Sequence, residues 1–349
     1  MSALKAAIST DAGSSADQCP VCNCTTKKTT RILSIADKVA EMMSSKDIRE
    51  SLIERQTNIT MSNEEYGDIY DGNIFKSLYN NNVLDNTDDV LNLYLKIDID
   101  GFTCTHSHNS LVMVHGVLLN LDSSERYARH ATFQIAILPS KAKGDFDSFM
   151  APIVDEVNLL SEKTLVIVGN DNQPVKCKVY VLFINGDGIE ANRMLNFQGH
   201  MSTYGCRFCI TKGEHRVDGS NATGMYFADR KAPLRTKESL LLKDKTDLFR
   251  DKAYGINKPT ILAKLSTFVG VESIGLEELH AISNISKLFY EMISPRYNAN
   301  FKYIGNEAAY PFQLSNLQFQ CLGVAMTNSR QYIPTGAFQG SFNPVDPSN

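Results

Sequence analysis

Two aspartates that each follow an apolar segment suggest a metal site. Asp100 lies near the end of LYLKIDIDGF, residues 93–102, and Asp187 follows VKCKVYVLFING, residues 175–186. Either aspartate alone is explained as a turn residue next to glycine. As neighbours they would repel unless a divalent cation lay between them, and carboxylate oxygens favour Mg²⁺ or Mn²⁺. Two such ions about 4 Å apart can activate a water or hydroxyl and stabilise the leaving oxygen of a phosphodiester.

The elements around these aspartates decide whether they meet. Apolar, β-rich segments joined by Asn, Ser and Asp predict three sequential antiparallel strands at residues 91–99, 110–121 and 131–138. If the first of these strands is also a neighbour of the strand that ends before Asp187, both aspartates lie at adjacent strand ends. The sequence therefore predicts an α/β fold in which Asp100 and Asp187 bind Mg²⁺ or Mn²⁺.

A helix and a hairpin are predicted after the third strand. Asp147 is expected to cap the helix, whose apolar face is formed by Phe149, Ile153, Val157 and Leu160. LVIV and VKCKVYVLFI, separated by a polar turn at 170–172, predict a hairpin. The predicted order is strand, strand, strand, helix, strand.

Bulk composition excludes several classes of protein. The chain has 349 residues, of which 43% are hydrophobic, so it can bury a large core and fold as two or more units. Its net charge of −4 excludes a uniformly basic nucleic-acid binder but not a local basic patch. No apolar stretch approaches the roughly 18 residues of a spanning helix, so we expect no membrane partner and an intracellular protein. Eight cysteines in such a chain indicate thiols or metal ligands rather than disulfides.

A Cys-x-x-Cys pair indicates a second kind of metal site. Cys206 and Cys209 have the thiolate spacing of tetrahedral zinc sites, and His200 or His215 would supply nitrogen. The alternative is a pair of buried free thiols, because no second Cys-x-x-Cys follows. A redox role is less favoured, since the motif does not open a thioredoxin-like βαβ unit.

Three motif interpretations compete for the first aspartate. A calcium loop fails, because placing Gly101 at the glycine position puts Lys96 first and Ser107 twelfth among the ligands. A phosphatase of the haloacid dehalogenase type is suggested by DIDGFT at 98–103 and GDGIEAN at 186–192. That family requires a helix directly after the nucleophile strand, whereas β-rich segments follow here. An RNase H-like nuclease core matches the predicted order of elements.

Longer motifs resemble the transposase domain of CACTA (En/Spm-type) DNA transposons. They are GDGIEANRMLNFQGHMSTYGCRFC at 186–209, GMYF at 224–227, LRTKESL at 234–240 and IGLEELHAISNISKLFYEMI at 274–293. The resemblance covers roughly residues 65–335, and it is specific only when these motifs are taken in combination and in order. It implies an RNase H-like fold, metal-dependent DNA cleavage and strand transfer, and a nuclear location. The partners it implies are DNA at the transposon ends and other copies in a homo-oligomer.

The resemblance also implies roles for individual residues. Asp100 and Asp187 would be the first two catalytic acids, and Glu277-x-x-His280 matches a Cys/Asp-x-x-His element of the family. Glu190 replaces a usual proline and is expected to alter the turn after Asp187.

The third acid of the family is expected on a later helix. The tail AFQGSFNPVDPSN at 337–349 is too rich in Gly, Pro, Asn and Ser to form that helix. Glu307 and the pair Glu277 and Glu278 are the remaining candidates, and none fits well. The sequence thus suggests a truncated or decayed copy, or a domesticated protein that binds DNA or protein without catalysis.

Four segments organise the chain in this interpretation. They are an N-terminal tail with the cysteine knuckle CPVCNC and an amphipathic helix (1–64), the first part of the catalytic core (65–210), a basic insertion (211–262) and a C-terminal helical part (263–349). The insertion holds eleven Lys or Arg against seven Asp or Glu. It is expected either to follow a phosphate backbone or to be a solvated loop of mixed charge.

Overall fold

A computed structural model describes residues 30–103, 110–139, 146–215, 224–241, 254–275, 282, 284–295 and 313–332. The chain divides into two compact units, residues 1–276 and 277–349. Within the described ranges the first unit combines a five-stranded sheet with helices, so the predicted α/β class is confirmed. No helix in those ranges has the length and apolar composition needed to cross a membrane.

The sheet is mixed, with strand order β3-β2-β1-β5-β4. Its strands are β1 (Leu91–Thr103), β2 (Ser110–Leu118), β3 (Thr132–Pro139), β4 (Leu165–Val168) and β5 (Pro174–Gly186). The first three strands pair antiparallel in sequence order, and β4 forms the predicted hairpin with β5. The remaining pair, β1 with β5, is parallel and joins the two antiparallel parts.

The central strand β1 is covered on both faces over its first half. Leu93, Leu95 and Ile97 point to the larger core cluster, which also contains apolar side chains of the long helix that follows β3. Tyr94 points to the opposite face and packs edge-to-face with Tyr70 and Phe75. A strand that is apolar on both faces is typical of the centre of a sheet covered on each side.

Eight α-helices accompany the two short strands β6 (Glu214–His215) and β7 (Met225–Tyr226) in the described ranges. The helices are α1 (Ile35–Ser44), α2 (Lys46–Thr57), α3 (Asn73–Asn80), α4 (Phe146–Glu162), α5 (Gly188–Met194), α6 (Lys237–Leu241), α7 (Asn284–Ile293) and α8 (Asn316–Ser329). Three of the helix predictions need correction, two in the first unit and one in the second.

The amphipathic helix expected near the N-terminus is two helices. Ser45 has extended backbone angles, so α1 ends there and α2 begins at the next residue. Asp147 is not the cap of α4 but lies in its first turn, where its carboxylate binds Lys258 at 2.9 Å and Asn196 at 3.0 Å. The competing tertiary contacts, which sequence does not show, decide its role.

In the second unit, α7 carries part of the apolar stripe predicted for residues 276–292. Its Ile285 and Phe289 are more than 60% exposed, and the structure describes no buried residue in this helix. Tyr290 of α7 packs against Phe319 of α8, with ring centroids 5.2 Å apart. The expected stripe is therefore present in sequence but is not buried as a core face in the described part of the unit.

A charged contact ties the segment before β1 to β5. The Asp85 carboxylate binds Lys178 of β5 at 2.8 Å and accepts hydrogen bonds from the hydroxyl and backbone N–H of Thr87. The Asp85 backbone N–H also donates to the Tyr180 hydroxyl. The hydrogen bond from Lys178, followed by those from Thr87, lowers the pKa of Asp85 to about 2.

We expect Asp85→Asn to lower the free energy of unfolding at pH 7 by about 1–2 kcal/mol, because it removes a charged hydrogen bond. Since the folded pKa is below the unfolded value, this stabilisation is complete above about pH 4 and decreases as the pH falls towards 2. Urea denaturation at several pH values would show the two proteins converging near pH 3. A difference as large at pH 3 as at pH 7, or an equal effect of exposed Asp88→Asn, would contradict this origin.

Candidate metal centre

The parallel pairing of β1 with β5 places the two predicted aspartates side by side. The register runs through Asp98 with Asn185 to Ile99 with Gly186, and Asp100 and Asp187 are the next residues. Partners in parallel strands share a face, and neighbouring strands lie about 4.8 Å apart. Asp187 keeps an extended backbone, so its side chain continues the alternation. Both carboxylates thus belong to the same face at the same end of the sheet.

Asp187 also caps the helix that begins after it. Its Oδ1 accepts hydrogen bonds from the backbone N–H of Ile189 at 2.8 Å and of Glu190 at 2.7 Å. This use of Oδ1 fixes the side-chain rotamer and leaves Oδ2 as the oxygen that could bind a cation. Asp100 is exposed at the end of β1. The local sequence Gly-Asp-Gly explains the geometry, because aspartate is a favoured N-cap residue.

Asp98, the residue on which the phosphatase alternative depends, has a partner. Its carboxylate lies 3.0 Å from Lys96 Nζ, which also contacts the Tyr127 hydroxyl at 3.0 Å. Burial alone would lower the pKa of Lys96, but the hydrogen bond to Tyr127 and the charge of Asp98 outweigh it and raise that pKa. Asp98 is therefore half of an ion pair on β1, and β1 is followed by the antiparallel strand β2 rather than by a helix.

Glu190 is the unexpected member of this region. It is 6% exposed, and its Oε1 lies 3.2 Å from Arg193 one turn along α5. No donor among the described residues reaches its Oε2. Burial raises the pKa of Glu190; Arg193 opposes this, and the charges of Asp187 and Asp100 add to it. The expectation that Glu190 disturbs the turn is wrong, since α5 forms normally with Glu190 in its first turn.

The donor set suits a hard cation only in part. Two aspartates with free carboxylate oxygens are compatible with Mg²⁺ or Mn²⁺, which keep several waters when bound by one or two carboxylates. Across the described ranges, no group of three or more His, Cys, Asp and Glu side chains is arranged to hold a metal ion. Glu277 and His280, the other predicted catalytic residues, lie outside those ranges, as do the N-terminal cysteine knuckle and Glu307.

The Cys-x-x-Cys pair forms a compact knuckle after α5. The Sγ atoms of Cys206 and Cys209 are 3.3 Å apart, with the Cys209 thiol donating to Cys206. Burial raises the pKa of Cys206, but hydrogen bonds from the Cys209 thiol and from the backbone N–H groups of Cys209 and Phe208 reverse the direction and lower it. A thiolate at Cys206 is the form that binds a soft metal or reacts.

The predicted nitrogen ligand for this pair is nearby in sequence only. His215 lies on β6, is paired with Met225 of β7, and is exposed. His200 is also exposed. The structure thus brings Cys206 and Cys209 together but does not add either histidine to them.

The basic insertion packs on this knuckle through one of its arginines. Arg235 is 2% exposed and donates to the backbone carbonyls of Cys206 at 3.0 Å, Tyr204 at 3.2 Å and Tyr254 at 2.6 Å. Its guanidinium also lies over the Phe197 ring, 5.0 Å from the centroid. Arg235 therefore holds the insertion in place and does not face a nucleic acid.

Comparisons with known proteins add no assignment. No model of a known protein family matches the chain, and none of the curated proteins is significantly similar to it.

We expect Arg235→Gln to lower the free energy of unfolding by about 2–4 kcal/mol, because buried carbonyl groups lose a charged donor. The matched control is Arg230→Gln, at an exposed arginine of the same insertion, which should change stability by less than about 0.5 kcal/mol. Urea denaturation of the full chain measures both. Equal stability of the two variants would show that Arg235 does not organise the knuckle.

Proposed function

We propose that this chain is a DNA transposase domain with an RNase H-like core, which cleaves and joins phosphodiester bonds with Mg²⁺ or Mn²⁺. The observation that carries the proposal is the parallel pairing of β1 with β5, which brings Asp100 and Asp187 to neighbouring strand ends on one face. The order of elements supports it too: three antiparallel strands, a helix, and a strand that returns beside the first.

Each acidic residue has a role in this proposal. Asp100 and Asp187 Oδ2 would hold the cations, while Asp187 Oδ1 keeps its carboxylate oriented through the N-cap bonds. When bound, the cations would activate a water or 3′ hydroxyl and stabilise the leaving oxygen, so no separate general base is required. Glu277 and His280 remain proposed members of the site on the resemblance alone.

The proposed substrate is DNA at transposon ends, in a nuclear setting and with the protein self-associated. Exposed basic side chains of the insertion, at Lys212, Arg230 and Lys231, are available for phosphate contacts. The buried Arg235 is not. Affinity for DNA is therefore expected to fall with salt in proportion to the few phosphates neutralised.

A second candidate is a transposase-derived protein that binds DNA or protein without catalysis. One observation favours it: one oxygen of Asp187 is committed to the helix cap, and the described residues provide no third carboxylate already converged with the pair. Cleavage assays separate the two candidates.

We expect the full chain to nick supercoiled DNA in the presence of Mn²⁺. Asp100→Asn and Asp187→Asn should each reduce the rate by roughly 10²-fold or more, as for loss of a principal electrostatic group in an active site. Asp98→Asn is the matched control on the same strand, and it should retain activity because Asp98 is paired with Lys96.

The outcomes are distinct. If the wild type shows no Mn²⁺-dependent nicking, or if the Asp100 and Asp187 variants nick as well as it does, the enzyme proposal fails and the binding candidate remains. Hydrolysis of a generic phosphate monoester that is lost in Asp98→Asn would instead support the phosphatase alternative.

We also propose that Cys206 and Cys209 bind structural Zn²⁺. Their Sγ separation of 3.3 Å is close to the roughly 3.8 Å that two thiolates span on a tetrahedral zinc with bonds of about 2.3 Å. The lowered pKa of Cys206 supports the thiolate that zinc requires. His215 is the proposed nitrogen ligand, and it would have to move to join the pair.

Purified protein is expected to contain about one zinc per chain, because closed sites of this type are structural. Elemental analysis should show that Cys206→Ser and Cys209→Ser lose it, whereas buried Cys177→Ser keeps it. Retention of zinc in His215→Ala would remove His215 from the ligand set. A wild-type protein without zinc would leave the pair as free thiols.

A further inference from the structure

Glu190 is a buried carboxylate with an unused oxygen beside the two aspartates. It is 94% buried if its 6% exposure is subtracted from the whole, and Oε2 has no hydrogen-bond partner among the described residues. Leaving a buried charged oxygen unpaired is costly. Its position therefore needs a physical reason beyond the short helix on which it lies.

Two glycines provide the space that Glu190 occupies. A Cβ on Gly186 would lie 3.1 Å from Glu190 Cβ and 3.0 Å from the Ile99 carbonyl oxygen. A Cβ on Gly101, the residue after Asp100, would lie 3.8 Å from Glu190 Oε1. The side chain thus crosses from α5 over the end of β5 to the end of β1, and its carboxyl group lies at the strand ends that carry the aspartates.

The ordinary structural role of a glutamate at this position is absent. In a capping box the third-position glutamate accepts the N–H of the cap residue. Here Asp187 makes its half of that arrangement, but the reciprocal bond from Glu190 is not formed. Arg193 is the described ion-pair partner of Glu190 and is 32% exposed, so it offsets the negative charge only in part.

We propose that Glu190 is the third carboxylate of the cation site, acting on the waters bound to the ion held by Asp100 and Asp187. This inference rests on the proposed function. An outer position agrees with the lack of a converged three-residue group and with the several waters that Mg²⁺ and Mn²⁺ retain. A cation there would relieve the repulsion among three neighbouring carboxylates and give the unpaired Oε2 a donor in a bound water.

The test is Mn²⁺ binding to the full chain, measured by calorimetry without DNA. Glu190→Gln preserves shape and removes charge, and it should weaken Mn²⁺ binding about 10–100-fold, as for outer-shell partners of other metal sites. The rise in melting temperature produced by Mn²⁺ should shrink in parallel. Exposed Glu162→Gln, at the end of α4, is the charge-matched control and should bind like the wild type.

A second variant tests the same idea with the opposite sign. Arg193→Gln removes the cation that partly neutralises Glu190, so Mn²⁺ should bind more tightly than to the wild type. This variant keeps the buried carboxylate and serves even if Glu190→Gln does not fold. Unchanged or weaker Mn²⁺ binding in Arg193→Gln would overturn the proposal.

The remaining outcomes separate this inference from the proposed function. If Asp100→Asn and Asp187→Asn lose Mn²⁺ binding but Glu190→Gln keeps it, the cation site stands and Glu190 has only a structural role. If all three variants bind Mn²⁺ like the wild type, both the site and the role of Glu190 are wrong.

Discussion

The parallel hydrogen-bonded pairing of β1 with β5 is the constraint on which the candidate site depends. Asp100 and Asp187 are distant in sequence, and no local interaction could bring them together. The register through Ile99 and Gly186 does so, because residues that follow a paired position in parallel strands share a face. A shift of one residue in either strand would turn one aspartate to the opposite face.

That placement has an electrostatic cost which the neighbourhood reduces in different ways. Asp187 is stabilised by two backbone N–H groups of α5, and Asp98 by Lys96. Glu190 has only the partial compensation of Arg193, and burial raises its pKa. The end of the sheet therefore concentrates more carboxylate groups than its described cations balance, which is the condition that a divalent ion would relieve.

The knuckle shows that basic residues in a sequence need not be available for binding. Arg235 belongs to a segment with an excess of positive charge, yet its donors are used by three backbone carbonyls. The exposed residues Lys212, Arg230 and Lys231 keep their charge at the surface. A count of charges over 211–262 mixes these two classes, because burial is a property of the folded chain.

The sequence by itself determined the strands, the long helix and the hairpin, since apolar periodicity and turn residues are local signals. It also singled out Asp100, Asp187, Cys206 and Cys209 by type and spacing. Only the tertiary structure decided that α1 and α2 are separate, that Asp147 binds Lys258, and that Glu190 is buried at the strand ends. These outcomes depend on which segments pack together, and long-range packing leaves no periodic trace in the sequence.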